Sequence, residues 1–277
     1  MSARVGTVVL TGATSGIGQA TALRLAGMTT SLVALGVETS QHAAPALDRI
    51  RRAGPAELHY VSADFTHLAD VVRAAERVGS LAPSIDLLIN DAGVPGARER
   101  IITSDGFERT LQVNALAPAL FTRLLIPHLA EGARIVNVGS SAHRVEHFHF
   151  DDLELSRTYA PITAYARAKL AMVTWSSLLA EEEAGRPHDV VALCPGLNDT
   201  PLSAAMMGRI GGPASQGAEL VLAASAAAVP SGSYLENGSV VSASADSLDP
   251  ANRAWLATIF RERLSPFVVG RDLGVLR

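Results

Sequence analysis

A glycine-rich turn between a predicted strand and a predicted helix is the feature that most constrains the fold of this chain. The β-branched run Val5–Thr11 predicts a buried strand, and the spacing of apolar residues over Ile17–Ala26 predicts a helix. Gly12 permits a tight turn between them, Gly16 lets the backbone approach a pyrophosphate, and Gly18 allows close helix packing. The free N–H groups that open the helix attract anions. The turn therefore predicts a phosphate site, although an ordinary strand-to-helix turn fits an isolated match equally well.

Short apolar runs alternate with helical patterns along most of the remaining chain. The runs that predict further strands are Ser31–Leu35, Leu58–Ser62, Leu87–Asn90, Arg134–Val138 and Asp189–Cys194. Strands of this kind, joined by helices, are typical of a parallel sheet that is covered on both faces. We therefore predict an α/β fold: a single-domain, Rossmann-type, doubly wound parallel sheet with helices on both faces.

No internal repeat and no linker divides the 277 residues. We expect a single domain over 1–277, with a cofactor-binding part at about 1–195 and a substrate-covering part at about 196–277. In the second part, helical patterns cover 214–227 and 250–264, and a short strand is expected near Tyr234.

Composition narrows the range of partners. The formal net charge is −4 and no basic block occurs, which argues against a nucleic-acid partner. No apolar stretch approaches the roughly 20 residues that a membrane span requires. The N-terminus carries no pattern of a secretion signal, and the single cysteine, Cys194, cannot form an intramolecular disulfide. These features favour a cytoplasmic protein with a small-molecule partner, no nucleic acid and no membrane span.

Tyr165 and Lys169 lie four residues apart in a pattern with helical spacing. Such residues share one helix face, so the phenol and the ammonium can face the same cleft. A nearby positive charge stabilises a phenolate, and we expect Lys169 to lower the pKa of Tyr165 so that it can act as general acid or base. Ser140 follows the predicted strand Arg134–Val138, at the sheet edge where open α/β folds bind ligands. A tyrosine and a lysine four residues apart are by themselves more often a packing feature than a functional site. The glycine-rich turn elsewhere in the chain makes the functional interpretation the favoured one.

The chain resembles the short-chain dehydrogenase/reductase family from Val5 to about Leu264. The motifs that carry the resemblance are, in order, Thr11–Gly18, Asn90–Gly93, Val113–Asn114, Ser140, Tyr165 with Lys169, and Pro195–Gly196 followed by Thr200. The resemblance implies an oxidoreductase that moves a hydride between NAD(H) or NADP(H) and a carbonyl or alcohol group.

Residue roles follow from the same resemblance. It implies a catalytic tetrad of Asn114, Ser140, Tyr165 and Lys169. In such enzymes the tyrosine transfers the proton, the serine polarises the carbonyl, the lysine also holds the nicotinamide ribose, and the asparagine positions a water in a proton relay. The residues implied to contact the cofactor are Gly12, Thr14, Ser15, Gly16, Ile17, Gly18, Asp64, Phe65, Asn90, Ala92, Gly93, Tyr165, Lys169, Pro195, Gly196 and Thr200.

The strand before Ser140 and the long insert before Tyr165 resemble the branch that contains retinol dehydrogenases and protochlorophyllide reductases. Ser140 lies 25 residues before Tyr165, further than in most of the family, and Ser141 is the competing assignment. The alignment of the strand favours Ser140.

Several residues of the chain depart from the family pattern or stand outside it. Asp91 replaces a usual asparagine, and it would either oppose cofactor binding by its charge or cap a helix. Asn198 and Asp199 make the approach to Thr200 more polar than usual. Three histidines in the insert, His143, His147 and His149, precede Asp151 and Asp152. We expect them to be loop or substrate-rim residues, with no metal site.

The segment after the second predicted strand bears on the choice of cofactor. Leu35–His42 contains no arginine or lysine to bind a 2′-phosphate, and Glu38 would repel one. Gly36 stands where NAD-specific relatives usually carry an aspartate, and Glu38 could replace it if the loop folds back. Arg49 is a cation that could reach a phosphate. The balance favours NAD(H) over NADP(H).

Substrate identity is expected to lie in the segments Val94–Ser104, Glu146–Tyr159 and Leu202–Gly212, which match no motif. The favoured substrate is a small hydrophobic ketone, aldehyde or alcohol. The alternatives are a regulatory nucleotide-binding protein that has lost turnover, and a non-redox cyclase or epimerase. Family members suggest a homodimer through helices such as Thr163–Glu183, whereas the related branch is compatible with a monomer.

Overall fold

A central sheet of eight strands organises the part of the chain that the structure describes, residues 5–268 of a computed structural model. The strands of this sheet are β1 (Val5–Leu10), β2 (Thr29–Gly36), β3 (Glu57–Ser62), β4 (Ile85–Asn90), β5 (Leu129–Val138), β6 (His188–Cys194), β9 (Tyr234–Glu236) and β10 (Ser239–Val241). Their order is β10-β9-β6-β5-β4-β1-β2-β3, and every pairing is parallel except that of β9 with β10. This is the predicted doubly wound sheet.

Helices cover both faces of the sheet. They are α1 (Gly16–Leu25), α2 (Ser40–Ala53), α3 (Leu68–Leu81), α4 (Arg109–Leu111), α5 (Ala117–Leu125), α6 (Pro161–Glu182), α7 (Pro201–Met207), α8 (Ala214–Ala226), α9 (Ala245–Leu248) and α10 (Pro250–Leu264). A π-helical turn, Gln112–Leu116, joins α4 to α5. Two short strands, β7 (Asn198–Asp199) and β8 (Gly212–Pro213), pair with each other outside the main sheet.

The alternation of side chains along each strand builds the two large hydrophobic cores. On β1, Val9 packs with α3, α5, α6 and α10, whereas Val8 and Leu10 pack with α1 and α8 on the opposite face. Successive side chains of a strand point to opposite faces, so a continuous apolar run is required where both faces are covered. This explains why central strands such as β1 and β4 contain continuous apolar runs rather than alternating polar residues.

The five strands predicted after β1 all begin earlier than their sequence patterns indicate, by one residue for β3 and β6, by two for β2 and β4, and by five for β5. The predicted strand at Ser31 starts at Thr29, whose hydroxyl donates to the Gly6 carbonyl of β1. The predicted strand at Arg134 starts at Leu129, and the polar and glycine residues at 131–132 had hidden its first half. Tyr234 opens the expected short strand, and it continues into a hairpin with β10.

The C-terminal third completes the core as well as covering the cleft described below. β9 extends the sheet beside β6, α8 packs on one face, and α10 packs against α6 on the other. Much of α6, the helix considered for a dimer, is buried within the chain by these contacts. Among residues 5–268, no helix combines the length and the hydropathy needed to cross a bilayer.

The order of the strands reverses between β1 and β4, and this reversal positions the site. β2 and β3 lie on one side of β1, while β4, β5 and β6 lie on the other. The connections that leave β1 and β4 therefore diverge and open a crevice at the carboxyl edge of the sheet. Thr11 at the end of β1 bonds through its backbone N–H to the Ile89 carbonyl of β4 at 3.0 Å.

Candidate active site

A cleft of about 590 Å³ opens at the carboxyl ends of the central strands. Twelve of the residues predicted to form the site line it: Gly12, Ser15, Gly16, Ile17, Ala92, Gly93, Ser140, Tyr165, Lys169, Pro195, Gly196 and Thr200. The residues come from five separate parts of the sequence, so the fold itself assembles them into one cavity.

The glycine-rich turn packs tightly because it lacks side chains. Gly12 has a φ of +74°, and a Cβ there would lie 2.9 Å from the Cα of Ala92. A Cβ on Gly18 would lie 2.2 Å from the carbonyl oxygen of Gly12. Ser15 caps α1 without a side-chain hydrogen bond, and it lines the cleft. The helix therefore presents its N-terminus to the cavity, which fits the pyrophosphate of a dinucleotide.

Two charged residues are connected to the outer end of this turn, Glu38 directly and Arg49 through Gln19. The Thr14 hydroxyl donates to Glu38 Oε2 at 2.8 Å, so the loop after β2 does fold back. The Tyr60 hydroxyl holds the Glu38 backbone carbonyl at 2.6 Å. Arg49 is indirect: its guanidinium donates to Gln19, whose amide donates to the Thr14 carbonyl. An anionic side chain thus contacts the turn directly, and a cation contacts it through one intermediate residue.

Ser140, Tyr165 and Lys169 form the chemical centre of the cleft. α6 places Lys169 one turn after Tyr165, with its Nζ 5.7 Å from the centroid of the phenol ring. The ammonium donates to the Val138 carbonyl at 2.7 Å. The Ser140 hydroxyl is hydrogen-bonded to the Tyr165 phenol. Ser141 is exposed, and its backbone N–H donates to Cys194 Sγ at 3.2 Å.

Burial dominates the proton affinities at this centre. Desolvation raises the pKa of Tyr165 to about 12, although its hydrogen bond with Ser140 opposes the shift. Desolvation lowers the pKa of Lys169 to about 8, against the attraction of Asp91. The expectation that Lys169 lowers the pKa of Tyr165 is therefore wrong for this arrangement. The ammonium lies over the ring and bonds to Val138, while burial penalises the phenolate.

Asn114 lies in the π-helical turn and is buried. Its Oδ1 accepts from the Val94 N–H at 2.8 Å, and its Nδ2 donates to the Val94 carbonyl at 2.9 Å. The side chain thus fixes the segment that follows Gly93. These two bonds use one N–H and one lone pair of the Asn114 amide. Its second N–H and its second lone pair remain for the water that is expected there.

Five predicted cofactor residues support the cleft from outside its wall. Thr14 bonds to Glu38, and Gly18 packs against Gly12 as described above. Asn90 is buried and donates to both Thr122 and Asn137. The Asp64 carboxylate accepts from the backbone and hydroxyl of Thr66. The ring of Phe65 packs against Phe121 in the core, with 5.8 Å between centroids.

The segment after β6 is held by polar residues that depart from the family pattern. Asn198 is buried, donates to the Pro195 carbonyl at 2.8 Å and accepts from the Gly217 backbone at 2.9 Å. Asp199 pairs with Arg209. Thr200 caps α7 in a reciprocal pair with Ser203. These contacts fix the loop that carries Pro195, Gly196 and Thr200 instead of loosening it.

An apolar rim surrounds the other half of the cleft, and no sequence motif marked it. We call the residues Val145, Ile162, Leu197, Leu202, Met206 and Met207 the apolar rim; all line the cleft. The adjacent methionines at 206–207 were the available signal in the sequence, and Met207 is exposed in the structure. Two of the three expected substrate segments contribute, through Pro95 and through α7.

The third segment, Glu146–Tyr159, contributes no residue to the wall of the cleft within the described chain. Arg167 on α6 draws it away, because its guanidinium bonds to the Glu146 carboxylate and to the Asp152 carbonyl. His147 and His149 in this segment are exposed. Among residues 5–268, no three metal-ligating side chains lie close enough together to hold an ion.

Asp91 caps α1, one of the two roles considered for it. Its carboxylate accepts from the Gly18 backbone N–H and faces Lys169 across the cleft. Burial nevertheless raises the pKa of Asp91 to about 7, because desolvation outweighs both of these contacts. The charge of Asp91 is therefore only partly compensated near neutral pH.

Comparison with known proteins places these features in a family. The family model described as short chain dehydrogenase matches residues 6–208. Mouse polyprenol dehydrogenase is 36% identical over 204 residues, which cover 70% of this chain and 60% of the relative. Human retinol dehydrogenase 13 is 37% identical over 202 residues, with 71% and 60% covered. The chain thus spans about 60% of the length of these relatives.

A solved structure agrees with the assignment. A short chain dehydrogenase from Burkholderia cenocepacia J2315, in complex with NADP, superposes with a TM-score of 0.66 at 25% identity. The match covers 83% of this chain and 94% of that protein.

Replacement of Asp91 tests the balance of charges at this end of the cleft. Because burial raises its pKa above the unfolded value, ionisation opposes folding, and stability falls as pH rises from about 4 to 7. Asp91→Asn keeps an acceptor for Gly18. It should raise Tm at pH 8 by about 3–6 °C, or roughly 1–2 kcal/mol, and by less as pH falls towards 4. Asp48→Asn, at an exposed ion pair, is the control. A pH-independent gain would contradict this account.

Proposed function

The chain belongs to the short-chain dehydrogenase/reductase family, in its retinol dehydrogenase-like branch, and from this premise we propose that it transfers a hydride between a nicotinamide cofactor and a carbonyl or alcohol group of a small hydrophobic molecule. Members of this family are NAD(P)-dependent oxidoreductases. The observation that carries the proposal is the convergence of Ser140, Tyr165 and Lys169 in the cleft that the glycine-rich turn opens. We further propose a cytoplasmic location.

The glycine-rich turn fits a dinucleotide, because its glycines have no Cβ to block the approach of a phosphate and α1 directs its N-terminus at the cavity. The nucleotide, when bound, supplies or accepts the hydride. We assign its phosphates to Ser15–Gly18, its nicotinamide end to Pro195, Gly196 and Thr200, and its ribose to Lys169. Asn90, Ala92 and Gly93 would form the wall between the phosphates and the nicotinamide end. Asp64 and Phe65 would support the adenine end.

The residues of this chain handle the proton. In carbonyl reduction, Ser140 donates a hydrogen bond to the carbonyl oxygen, and Tyr165 gives its proton to that oxygen as negative charge develops there. A water held at Asn114 would return the proton to the phenolate that remains. Because burial keeps Tyr165 protonated at neutral pH, the centre is prepared for reduction. Alcohol oxidation requires the phenolate and is favoured by alkaline conditions.

The apolar rim supports a hydrophobic substrate. Val145, Leu197 and Met207 are exposed apolar side chains at the mouth of the cleft, and a polar substrate would leave them in contact with water. Methionines adapt to irregular apolar shapes, which suits a bulky or elongated ligand. The names of the relatives, polyprenol and retinol dehydrogenase, agree with this choice.

A screen of hydrophobic aldehydes and ketones with NADH and NADPH, followed by nicotinamide absorbance, tests the proposed activity. Product formation without nicotinamide oxidation would favour the non-redox alternative.

Tyr165→Phe removes the proton donor and retains the ring. We expect kcat for carbonyl reduction to fall by at least about 100-fold, because a positioned acid contributes on that scale. The dissociation constant of the cofactor should stay within about twofold. Tyr159→Phe, at a half-buried tyrosine that donates to the Ala97 carbonyl, is the control. Near-normal turnover by the Tyr165 variant would refute the proposed mechanism.

Ser140→Ala and Ser141→Ala distinguish the two serine assignments. Only the Ser140 hydroxyl bonds to Tyr165, whereas Ser141 contributes a backbone bond that alanine preserves. Steady-state kinetics should show a loss of at least about 30-fold in kcat for Ser140→Ala, and less than about threefold for Ser141→Ala. The reverse ranking would transfer the role to Ser141.

For the cofactor we propose a preference for NAD(H). Glu38 is fixed against Thr14 at the outer end of the turn, where its charge would repel a 2′-phosphate and could accept a ribose hydroxyl. Glu38→Gln retains an acceptor for Thr14 and removes the charge. It should tighten NADPH binding by about tenfold and change NADH binding by less than about threefold, as measured by nucleotide fluorescence at several salt concentrations. The proposal would be reversed if the unmodified protein bound NADPH more tightly than NADH and if Arg49→Ala lost that difference.

A further inference from the structure

His143 lies three residues after Ser140 and has no exposed surface. It belongs to the short 3₁₀ turn Ser141–Arg144, which follows β5 at the floor of the cleft. The position was expected to be a loop or rim residue. Instead the ring is fully enclosed, packed edge-on against Tyr234 of β9 with 4.8 Å between centroids.

Both ring nitrogens of His143 are bonded to backbone groups. Nδ1 donates to the Ser140 carbonyl at 2.7 Å, and the backbone N–H of His143 donates to the same oxygen at 3.2 Å. Nε2 accepts from the Ser244 N–H at 3.1 Å. These partners require the neutral tautomer with the proton on Nδ1. Burial also lowers the pKa of His143, which favours the same neutral form.

The imidazole therefore connects two distant segments. Ser244 caps α9, which follows the β9–β10 hairpin at the far edge of the sheet. Ser140 lies two residues after the end of β5, the strand that leads into the cleft, and its hydroxyl bonds to Tyr165. No proton-transfer role fits His143, because both nitrogens are engaged and the ring does not line the cleft.

We propose that His143 is a positioning residue that fixes the backbone of Ser140, so that the serine hydroxyl is aligned with Tyr165 and with the substrate oxygen. The proposal rests on the proposed function, since it presumes that Ser140 polarises the carbonyl. A rotation of the Ser140 peptide would displace its hydroxyl, and a displacement of about 1 Å can lower a rate by about 100-fold. The bond to the Ser140 carbonyl is the effective contact, and the bond to Ser244 keeps the ring in place.

Two isosteric variants separate the two bonds. In His143→Asn, the side-chain amide can occupy the position of Nδ1 and still donate to the Ser140 carbonyl. In His143→Gln, the longer side chain can place its amide oxygen at Nε2 and still accept from Ser244. His143→Ala loses both bonds, and His149→Asn at an exposed histidine of the neighbouring insert is the matched control.

The measurements are kcat, KM, the cofactor dissociation constant and the isotope effect with deuterated nicotinamide nucleotide. We expect His143→Ala and His143→Gln to lose about tenfold or more in kcat, with a larger isotope effect and with KM and cofactor affinity within about twofold. His143→Asn should recover most of the loss, and His149→Asn should match the unmodified protein.

Other outcomes overturn the proposal. One is a kcat within twofold of normal for His143→Gln, and another is a kcat for His143→Gln equal to that for His143→Asn. A third is a loss of kcat that follows the decrease in Tm of each variant and not the hydrogen bond that it retains. The Asn and Gln comparison remains decisive if the alanine variant fails to fold. Normal turnover by Tyr165→Phe in the same assay would instead show that the proposed function is at fault.

Discussion

The close approach of two backbone segments at the carboxyl edge of the sheet is the constraint on which the site depends. Gly12 and Gly18 have no side chains, so the turn after β1 can lie directly against the chain that follows β4. The Thr11 hydroxyl accepts from the N–H groups of Asp91 and Ala92, both at 3.0 Å, and holds the two segments together. A side chain at either glycine would separate them and would move the N-terminus of α1 away from the cavity.

Desolvation is the second constraint, because the close packing excludes water from the ionisable groups. Tyr165, Lys169 and Asp91 all have pKa values shifted towards their neutral forms, in each case chiefly by burial. Lys169 and Asp91 compensate each other across the cleft, and the Val138 carbonyl gives the ammonium a fixed acceptor. The electrostatics of the site therefore belong to the group as a whole, and changing one member alters the protonation of the others.

Sequence reasoning identified the sheet and most of the cleft because both rest on local patterns. β-branched runs located the central strands, motifs with fixed spacing located the glycines and the Tyr165 and Lys169 pair, and the end of a predicted strand located Ser140. The π-helical turn at Asn114 escaped detection because one extra residue per turn leaves the apolar pattern helical. The direction of the Tyr165 pKa shift was also missed, since spacing reports a neighbouring charge but not the loss of solvent.

Contacts between distant segments could not be read from the sequence for a different reason. Arg167 lies two residues after Tyr165 on the same helix, and that offset turns it to a different face from the cleft. There it holds Glu146 and Asp152, so the insert that was expected to contact the substrate packs away from the cleft. Sequence distance indicates which residues share a helix face, whereas the partner of that face depends on the complete fold.

The two halves of the cleft differ in how they are built, and this difference affects how specificity can change. The half that we propose for the cofactor is formed by turns that connect directly to central strands, where any added volume meets backbone. The half that we propose for the substrate depends on α7, which is held at its start by the Thr200 and Ser203 cap and ends with Met206 and the exposed Met207. Substitutions at Met206 or Met207 alter the wall without entering either core. The side chains along α7 can therefore change while Ser140, Tyr165 and Lys169 keep their geometry.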